Sequence, residues 1–354
     1  MSDMAWTPLQ LRDVTVPNRV WLSPMCQYSA AADGIPTDWH LAHYGSRAAG
    51  GVGVVMVECT GVAPDMRTTS RDLGLYTREQ VAGHRRLAEA ITSIGSVPAV
   101  QLGAAGRKTS HGAPWDNAGT RHAVPPSEGG WQPLAPSALP FAGLAAPTEM
   151  TARDGTRLLE DVELAARNAD RAGYQLLELH SANGYLVHEF LSPLANHRND
   201  EWGGDLERRM RFPLEMVRAL RTGWPEHKPL LVRLPAEDLL AGGLTTDDMT
   251  TVANRLGAEG VDMLDLSSGA LVPEAQRLTE PLHNAHYGPR FRAKGPLVAA
   301  SGAISEPHHL DEAVPNLVDA VLVGRAMLRD PYWALRARGA DPLESWPRQY
   351  HRAF

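Results

Sequence analysis

Leu176-Leu177-Glu178-Leu179 runs straight into His180-Ser181-Ala182-Asn183-Gly184-Tyr185, a short apolar segment that ends in a burst of chemically capable side chains. The same arrangement recurs along the chain. Residues 20–23 lead into Pro24-Met25-Cys26, and residues 52–57 into Glu58-Cys59-Thr60. Residues 97–102 carry Gln101 and lead to Arg107-Lys108. Downstream, residues 230–234 contain Arg233, and residues 263–266 meet Ser267-Ser268-Gly269. Residues 297–300 meet Ser301-Gly302, and residues 320–323 meet Gly324-Arg325. Strands of a parallel sheet are buried on both faces, so they read as continuous Val/Ile/Leu runs. Eight such runs predict an α/β fold, a (β/α)8 TIM barrel, with chemistry at the C-terminal strand ends and phosphate held after strands 7 and 8.

The segments between the runs have helical period. Residues 78–94 place Val81, Leu87, Ala88 and Ile91 on one face, and residues 158–171 do the same with Leu158, Val162, Ala165 and Ala169. Thr151-Ala152-Arg153-Asp154 and Thr245-Thr246-Asp247-Asp248 read as helix-opening capping boxes. Gly95, Gly173 and Gly260 follow helical runs as C-terminal caps do. One stretch breaks the alternation: residues 111–150, rich in Pro, Gly and Ala, predict a lid or hairpin rising over the catalytic face after strand 3. Trp115, Trp131 and Phe141 in this insert are candidates to line a pocket. No linker or repeat divides the chain, so residues 1–354 are expected to form one domain.

Composition narrows the classes of partner. A net charge of −7 argues against nucleic acid and anionic membranes. No apolar run approaches the roughly 20 residues that cross a bilayer. Met1-Ser2-Asp3-Met4-Ala5-Trp6 lacks the regions of a secretory leader. The two cysteines, Cys26 and Cys59, make no disulfide framework. A cytoplasmic location is the expectation. Metal is not expected, since only His40 and His43 have ligand spacing, and they fit a helix after strand 1.

Two constellations carry chemistry. A neutral His180 and the Asn183 amide can both donate to one carbonyl oxygen, and such donors stabilise negative charge developing there. Tyr185 beside them could deliver a proton. Gln101 and Arg233, aimed inward from strands 3 and 5, suit the polar edge of a flat heteroaromatic ring, and Arg can hold negative charge on it. Gly302, Gly324 and Arg325 suit a phosphate. A sugar-phosphate aldolase stays open as an alternative; Schiff-base chemistry needs a lysine, and Lys108, Lys228 and Lys294 are the only ones.

Ser23-Pro24-Met25-Cys26-Gln27-Tyr28, Gln101 with Ala105-Gly106-Arg107-Lys108, and residues 180–185 together resemble the Old Yellow Enzyme family of FMN-dependent ene-reductases. Ser192-Pro193-Leu194-Ala195-Asn196-His197-Arg198, Ser267-Ser268-Gly269 and Gly324-Arg325 extend the resemblance along nearly the whole chain. Cys26, Tyr28 and the short C-terminal tail are similar to the thermophilic-like bacterial subclass. The resemblance implies NADPH or NADH as electron donor and an activated alkene (enone, enal, maleimide or nitroalkene) as acceptor, reduced in a ping-pong cycle. The alternative within the family is a xenobiotic reductase of nitro compounds or nitrate esters. It implies that Ser23, Pro24, Met25, Cys26, Cys59, Gln101 and Arg233 contact the isoalloxazine ring and ribityl chain, and that Gly302, Gly324 and Arg325 hold the phosphate. His180 and Asn183 would bind the substrate oxygen, Tyr185 would donate the proton, and Tyr28 would add a contact. Arg352, near the C-terminus, resembles an arginine that enters a neighbouring subunit's site, which implies a homodimer or homotetramer. Two positions depart from the subclass: Asn183 stands where many members have His, and Cys59 where many have Ala.

Overall fold

The computed structural model describes residues 3–116, 121–293 and 295–354. Eight parallel strands close into a barrel: β1 (Val20–Leu22), β2 (Val54–Gly61), β3 (Val97–Gly103), β4 (Leu176–His180), β5 (Leu230–Pro235), β6 (Met263–Ser267), β7 (Leu297–Ala300) and β8 (Ala320–Val323). Each pairs with its sequence neighbours, and β8 closes on β1 with Val321 opposite Val20 and Val323 opposite Leu22. The helices that follow the strands form the outer ring: α1 (Asp38–Ala49), α2 (Arg78–Ile94), α3 (Ala152–Arg171), α4 (Arg211–Gly223), α5 (Thr246–Ala258), α6 (Gly288–Arg292), α7 (His308–Ala313) and α8 (Arg325–Arg329). This is the (β/α)8 architecture that the eight apolar runs predict.

Alternation along each strand divides the core in two. Outward residues such as Val55, Val57, Val100, Leu177, Leu179, Val232 and Leu264 pack against the helices. Inward residues Trp21, Val54, Met56, Ala99, Leu176, Leu231, Met263, Ala299 and Leu322 fill the lower barrel. A two-stranded antiparallel ribbon, Leu9–Leu11 with Val14–Val16, lies outside the eight runs, and its Leu9, Leu11 and Val16 join this inner cluster. It stoppers the N-terminal end with apolar side chains, and the large cavity opens at the opposite, C-terminal face. The expected capping boxes form: Thr151 Oγ1 accepts from the Asp154 N–H, and Thr245 Oγ1 from the Asp248 N–H. Gly95, Gly173 and Gly260 all take the left-handed conformation after their helices.

The insert after β3 folds back over the catalytic face but is not a regular hairpin. Its ladder is parallel, pairing Leu134–Ala135 with Thr148–Glu149, and one antiparallel bridge joins His111 to Ala123. Backbone pairing alone is too sparse to hold it. Side chains do so instead: Trp131 Nε1 donates to Thr109 Oγ1 at 2.7 Å, Arg67 lies over the Trp131 ring, and Arg107 and Lys108 face the Phe141 ring. The insert's residues 117–120 fall outside the described residues. Among the described residues, no helix is long and apolar enough to cross a membrane.

Candidate active site

A cavity of about 1120 Å³ opens at the C-terminal face. Its wall takes residues from the end of every strand but β2: Ser23, Pro24 and Met25 after β1, Lys108 after β3, Asn183 and Tyr185 after β4, and Arg233 on β5. Ser267 and Ser268, Ser301 and Gly302, and Gly324 and Arg325 complete the circle, with Arg121 and Phe141 arriving from the insert. Cys26, Cys59, Gln101 and His180 stand back from that surface.

Beneath the cavity the barrel interior turns polar. Arg233 reaches Ser23 Oγ at 3.4 Å and Ser301 Oγ at 3.0 Å, and pairs with Asp265 Oδ2 at 3.2 Å. Gln101 Nε2 donates to Glu178 Oε1 at 2.6 Å. Glu178 and Asp265 have no solvent exposure, and burial pushes both carboxyls above their ordinary range. Neither was singled out in the sequence. The available signal was a lone carboxylate inside an otherwise apolar strand, Leu-Leu-Glu-Leu and Met-Leu-Asp-Leu; a buried acid needs a partner.

The loop after β4 brings His180, Asn183 and Tyr185 together. The His180 and Tyr185 rings meet edge to face, 4.6 Å between centroids. Asn183 (φ +56°) and Gly184 (φ +71°) both take left-handed conformations, which reverse the chain between them. A Cβ on Gly184 would stand 2.6 Å from Lys108 Nζ and 2.8 Å from the Ala270 oxygen, so only glycine fits. Two buried groups hold this turn. Lys108 Nζ donates to the Asn183 and Ala270 carbonyls at 2.7 and 2.6 Å, and the Gly184 N–H donates to His188 Nδ1, whose Nε2 lies 2.7 Å from Asp238. Burial and the nearby Arg233 charge keep the His180 imidazole neutral, and burial holds the Tyr185 phenol protonated. Burial also pulls the Lys108 amine down to about 7. The Asn183 amide donates to Ser267 Oγ at 3.2 Å, whereas His180 Nδ1 has no partner.

A β-bulge positions Cys59. Between Val57 and Thr60 the β2 strand carries one residue more than β3, so Glu58 turns outward to α1 and Cys59 turns inward. Glu58 there accepts from the Gln27 N–H at 2.6 Å and from the Tyr44 hydroxyl at 3.2 Å, with His40 Nε2 at 3.2 Å. This ties the loop bearing Cys26 to α1, the helix that holds His40 and His43. Both cysteines are free, and burial keeps both thiols protonated. Tyr28 lies outside the main cavity, in a smaller recess with Trp115, whose ring meets it edge-on at 5.6 Å. Arg352 is exposed on the C-terminal 3-10 helix Arg348–Ala353 and does not line its own chain's cavity.

Comparison with known proteins decides the family. The model of the NADH:flavin oxidoreductase / NADH oxidase family matches residues 5–344. The NADPH dehydrogenase of Geobacillus sp. (strain WCH70) is 39% identical, covering 95% of this chain and 94% of its own. That of Bacillus subtilis (strain 168) is 37% identical over the full length of both chains. The chain belongs to the Old Yellow Enzyme family. Morphinone reductase superimposes with a TM-score of 0.79 at 27% identity, covering 97% of this chain and 93% of that one. A 2-naphthoyl-CoA reductase shares the fold (TM-score 0.86, 23% identity, 98% of this chain), although this chain spans only 53% of that larger protein.

Membership makes this Old Yellow Enzyme homologue a flavin oxidoreductase, with FMN as cofactor, and overturns the aldolase alternative. Its lysines agree: Lys108 is held by two carbonyls, and Lys228 is bound to Asp170 and the Tyr174 carbonyl. Lys294 lies outside the described residues. The cavity floor fits a flavin. Arg233 Nε and His180 Nδ1 are buried polar atoms without partners, and Gly302 (φ +137°) leaves a hollow that a Cβ would fill to 3.2 Å from His283 and the Asn284 nitrogen.

Proposed function

We propose that the enzyme reduces the C=C bond of an activated alkene (a conjugated enone, enal, maleimide or nitroalkene), with NADPH as the donor its relatives favour and NADH as the alternative. The observation that carries this reading is the convergence of three neutral hydrogen-bond donors, His180, Asn183 and Tyr185, beside the cationic floor of Arg233. Ser23, Pro24, Met25, Cys26, Cys59, Gln101 and Arg233 would surround the flavin ring and ribityl chain, and Gly302, Gly324 and Arg325 the phosphate. Bound FMN supplies the hydride chemistry, first from the nicotinamide and then to the alkene's β-carbon, in a ping-pong order.

The chain's own residues do the rest. His180, and the Asn183 amide once released from Ser267, donate to the acceptor oxygen and stabilise the charge that builds there. A neutral His180 does this without protonating the oxygen. Tyr185 gives its phenolic proton to the α-carbon, and the buried phenolate is reprotonated afterwards. Tyr28, in the neighbouring recess, would add a contact to a substrate that extends that far. Arg352, outside its own cavity, enters a neighbouring copy's site in a homodimer or in a tetramer of dimers. The two free thiols accord with a reducing, cytoplasmic setting.

An anaerobic visible spectrum followed by NADPH and then cyclohexenone tests the reading. Flavin bands that bleach with NADPH and return with cyclohexenone support it. Bleaching that reverses with a nitrate ester but not with the enone transfers the assignment to nitro and nitrate-ester reduction.

A further inference from the structure

We propose that Glu178 and Asp265 hold one proton between them beneath the cavity, and that this proton determines how much of the Arg233 positive charge is left to face bound FMN. The inference deepens the function proposed above and rests on Arg233 being the ring's cationic neighbour.

Glu178 on β4 and Asp265 on β6 are wholly buried, and Arg233 on β5 is the one cation placed among them in the described structure. Arg233 supplies Asp265 with an ion pair at 3.2 Å, although neither Asp265 oxygen has a hydrogen-bond partner. Glu178 has no cation of its own: Oε1 accepts from the Gln101 amide at 2.6 Å, and Oε2 is buried without a hydrogen-bond partner. Among the described residues, nothing else facing the pair offers charge. From β3 comes the neutral Gln101, from β2 the Cys59 thiol and apolar Met56, from β4 the neutral His180, and from β8 Leu322. The hydroxyls of Ser23 and Ser301 touch Arg233, not the acids. Were both carboxyls ionised, one negative charge would remain unpaired in a space sealed below by the apolar stopper. Such a charge is removed by protonation, and two carboxyls near one another lose their protons in separate steps. Glu178, the one without a cation, is where the proton resides.

The consequence reaches the cavity. With the pair singly protonated, Arg233 and Asp265 cancel, and the guanidinium edge toward Ser23 and Ser301 can meet negative charge arriving above it. If the pair loses its second proton, the floor becomes net negative and opposes that charge. Reduction by hydride brings two electrons and one proton from the nicotinamide. Above the pair's upper ionisation, reduction should therefore also draw one proton from solvent onto Glu178.

The test is the midpoint potential of the bound flavin followed from pH 6 to pH 10 in the wild type and in Glu178→Gln. The wild-type potential should fall more steeply by about 30 mV per pH unit over an interval above neutrality, one extra proton per two electrons. Glu178→Gln, a permanently neutral isostere, should lose that interval and keep the rest of the profile. Identical slopes in the two proteins would overturn the proposal. A second readout is independent of the flavin potential: infrared spectra of wild type and Glu178→Gln with ¹³C-labelled glutamate carboxyls. Glu58 and Glu189 are also wholly buried acids, so the deciding signal is a label-sensitive band of a dry, protonated carboxylic acid at pH 7 that the wild type shows and the variant lacks. A wild type without any such band, or identical spectra in the two proteins, refutes the proposal even if the potentials behave. An enzyme that shows this band but never exchanges hydride with an alkene keeps the proton pair and loses only the alkene assignment.

Discussion

A Cβ placed on Gly103 would stand 2.4 Å from Cys59 Sγ, so the thiol occupies the space that a side chain on the neighbouring strand would need. The bulge in β2 turns Cys59 inward, and the missing side chain on β3 accommodates it. Gly103→Ala should therefore cost about 1–3 kcal/mol, the usual range for overpacking. In the double variant Gly103→Ala/Cys59→Ala most of that loss should return. Urea unfolding of the wild type, both single variants and the double variant measures the coupling. Strictly additive effects would mean that the two residues do not compete for that space.

Tyr185 sits against His180 with its phenol held neutral by burial. Tyr185→Phe keeps the ring contact and removes only the proton. The alkene half-reaction should slow by roughly 10²–10⁴-fold, the range for a lost general acid. Flavin reduction by nicotinamide, followed by rapid mixing, should be nearly unchanged. Equal loss in both half-reactions would remove Tyr185 from the donor role.

Gly184 lets the chain reverse between Asn183 and Tyr185 at φ +71°, against Lys108 Nζ at 2.6 Å from a would-be Cβ. Gly184→Ala should displace both flanking residues. An error of about 1 Å in such a site can cost about 100-fold in rate, so turnover with an enone should drop by that order while FMN stays bound. An unaffected rate would show that the turn does not set the geometry of Asn183 and Tyr185.

Lys108 gives a pH dependence of definite sign. Burial lowers its amine from an ordinary 10.5 to about 7. Below pH 7 both the folded and the unfolded chain carry the proton, and the folded state bears the full cost of burying the charge. Between about 7 and 10.5 the unfolded chain binds a proton that the folded one lacks, so this group's contribution to stability rises with pH. Relative to Lys108→Met, which cannot titrate, the wild type should gain unfolding free energy from pH 7 to pH 9.5 in denaturant melts. Parallel profiles for the two proteins would show that Lys108 titrates normally.

Much of this was legible in the chain itself. Eight continuous apolar runs separated by helical periods specify a parallel barrel because both strand faces must be buried, and hydrophobicity is a local property of residues. The capping boxes at Thr151 and Thr245 are legible for the same reason: their hydrogen bonds close within four residues. That His180, Asn183 and Tyr185 lie on the reactive face follows from strand direction, since all three leave the same strand end; the left-handed turn held by Lys108 and His188 then brings them together.

What remained hidden depends on register between strands. The extra residue at Glu58-Cys59 exists only relative to β3, and it alone decides that the thiol points in and the carboxylate out. Glu178 and Asp265 look like blemishes in apolar runs until the barrel closes and sets them around Arg233. The insert's parallel ladder in place of a hairpin, the stopper at residues 9–16 and the exposed position of Arg352 depend on packing partners distant in sequence. The sequence by itself determined which residues are apolar, the order of strands and helices, and hence the barrel and its reactive face. Only the tertiary structure decided which buried charges meet, because pairing energies depend on distances across the barrel that no single strand encodes.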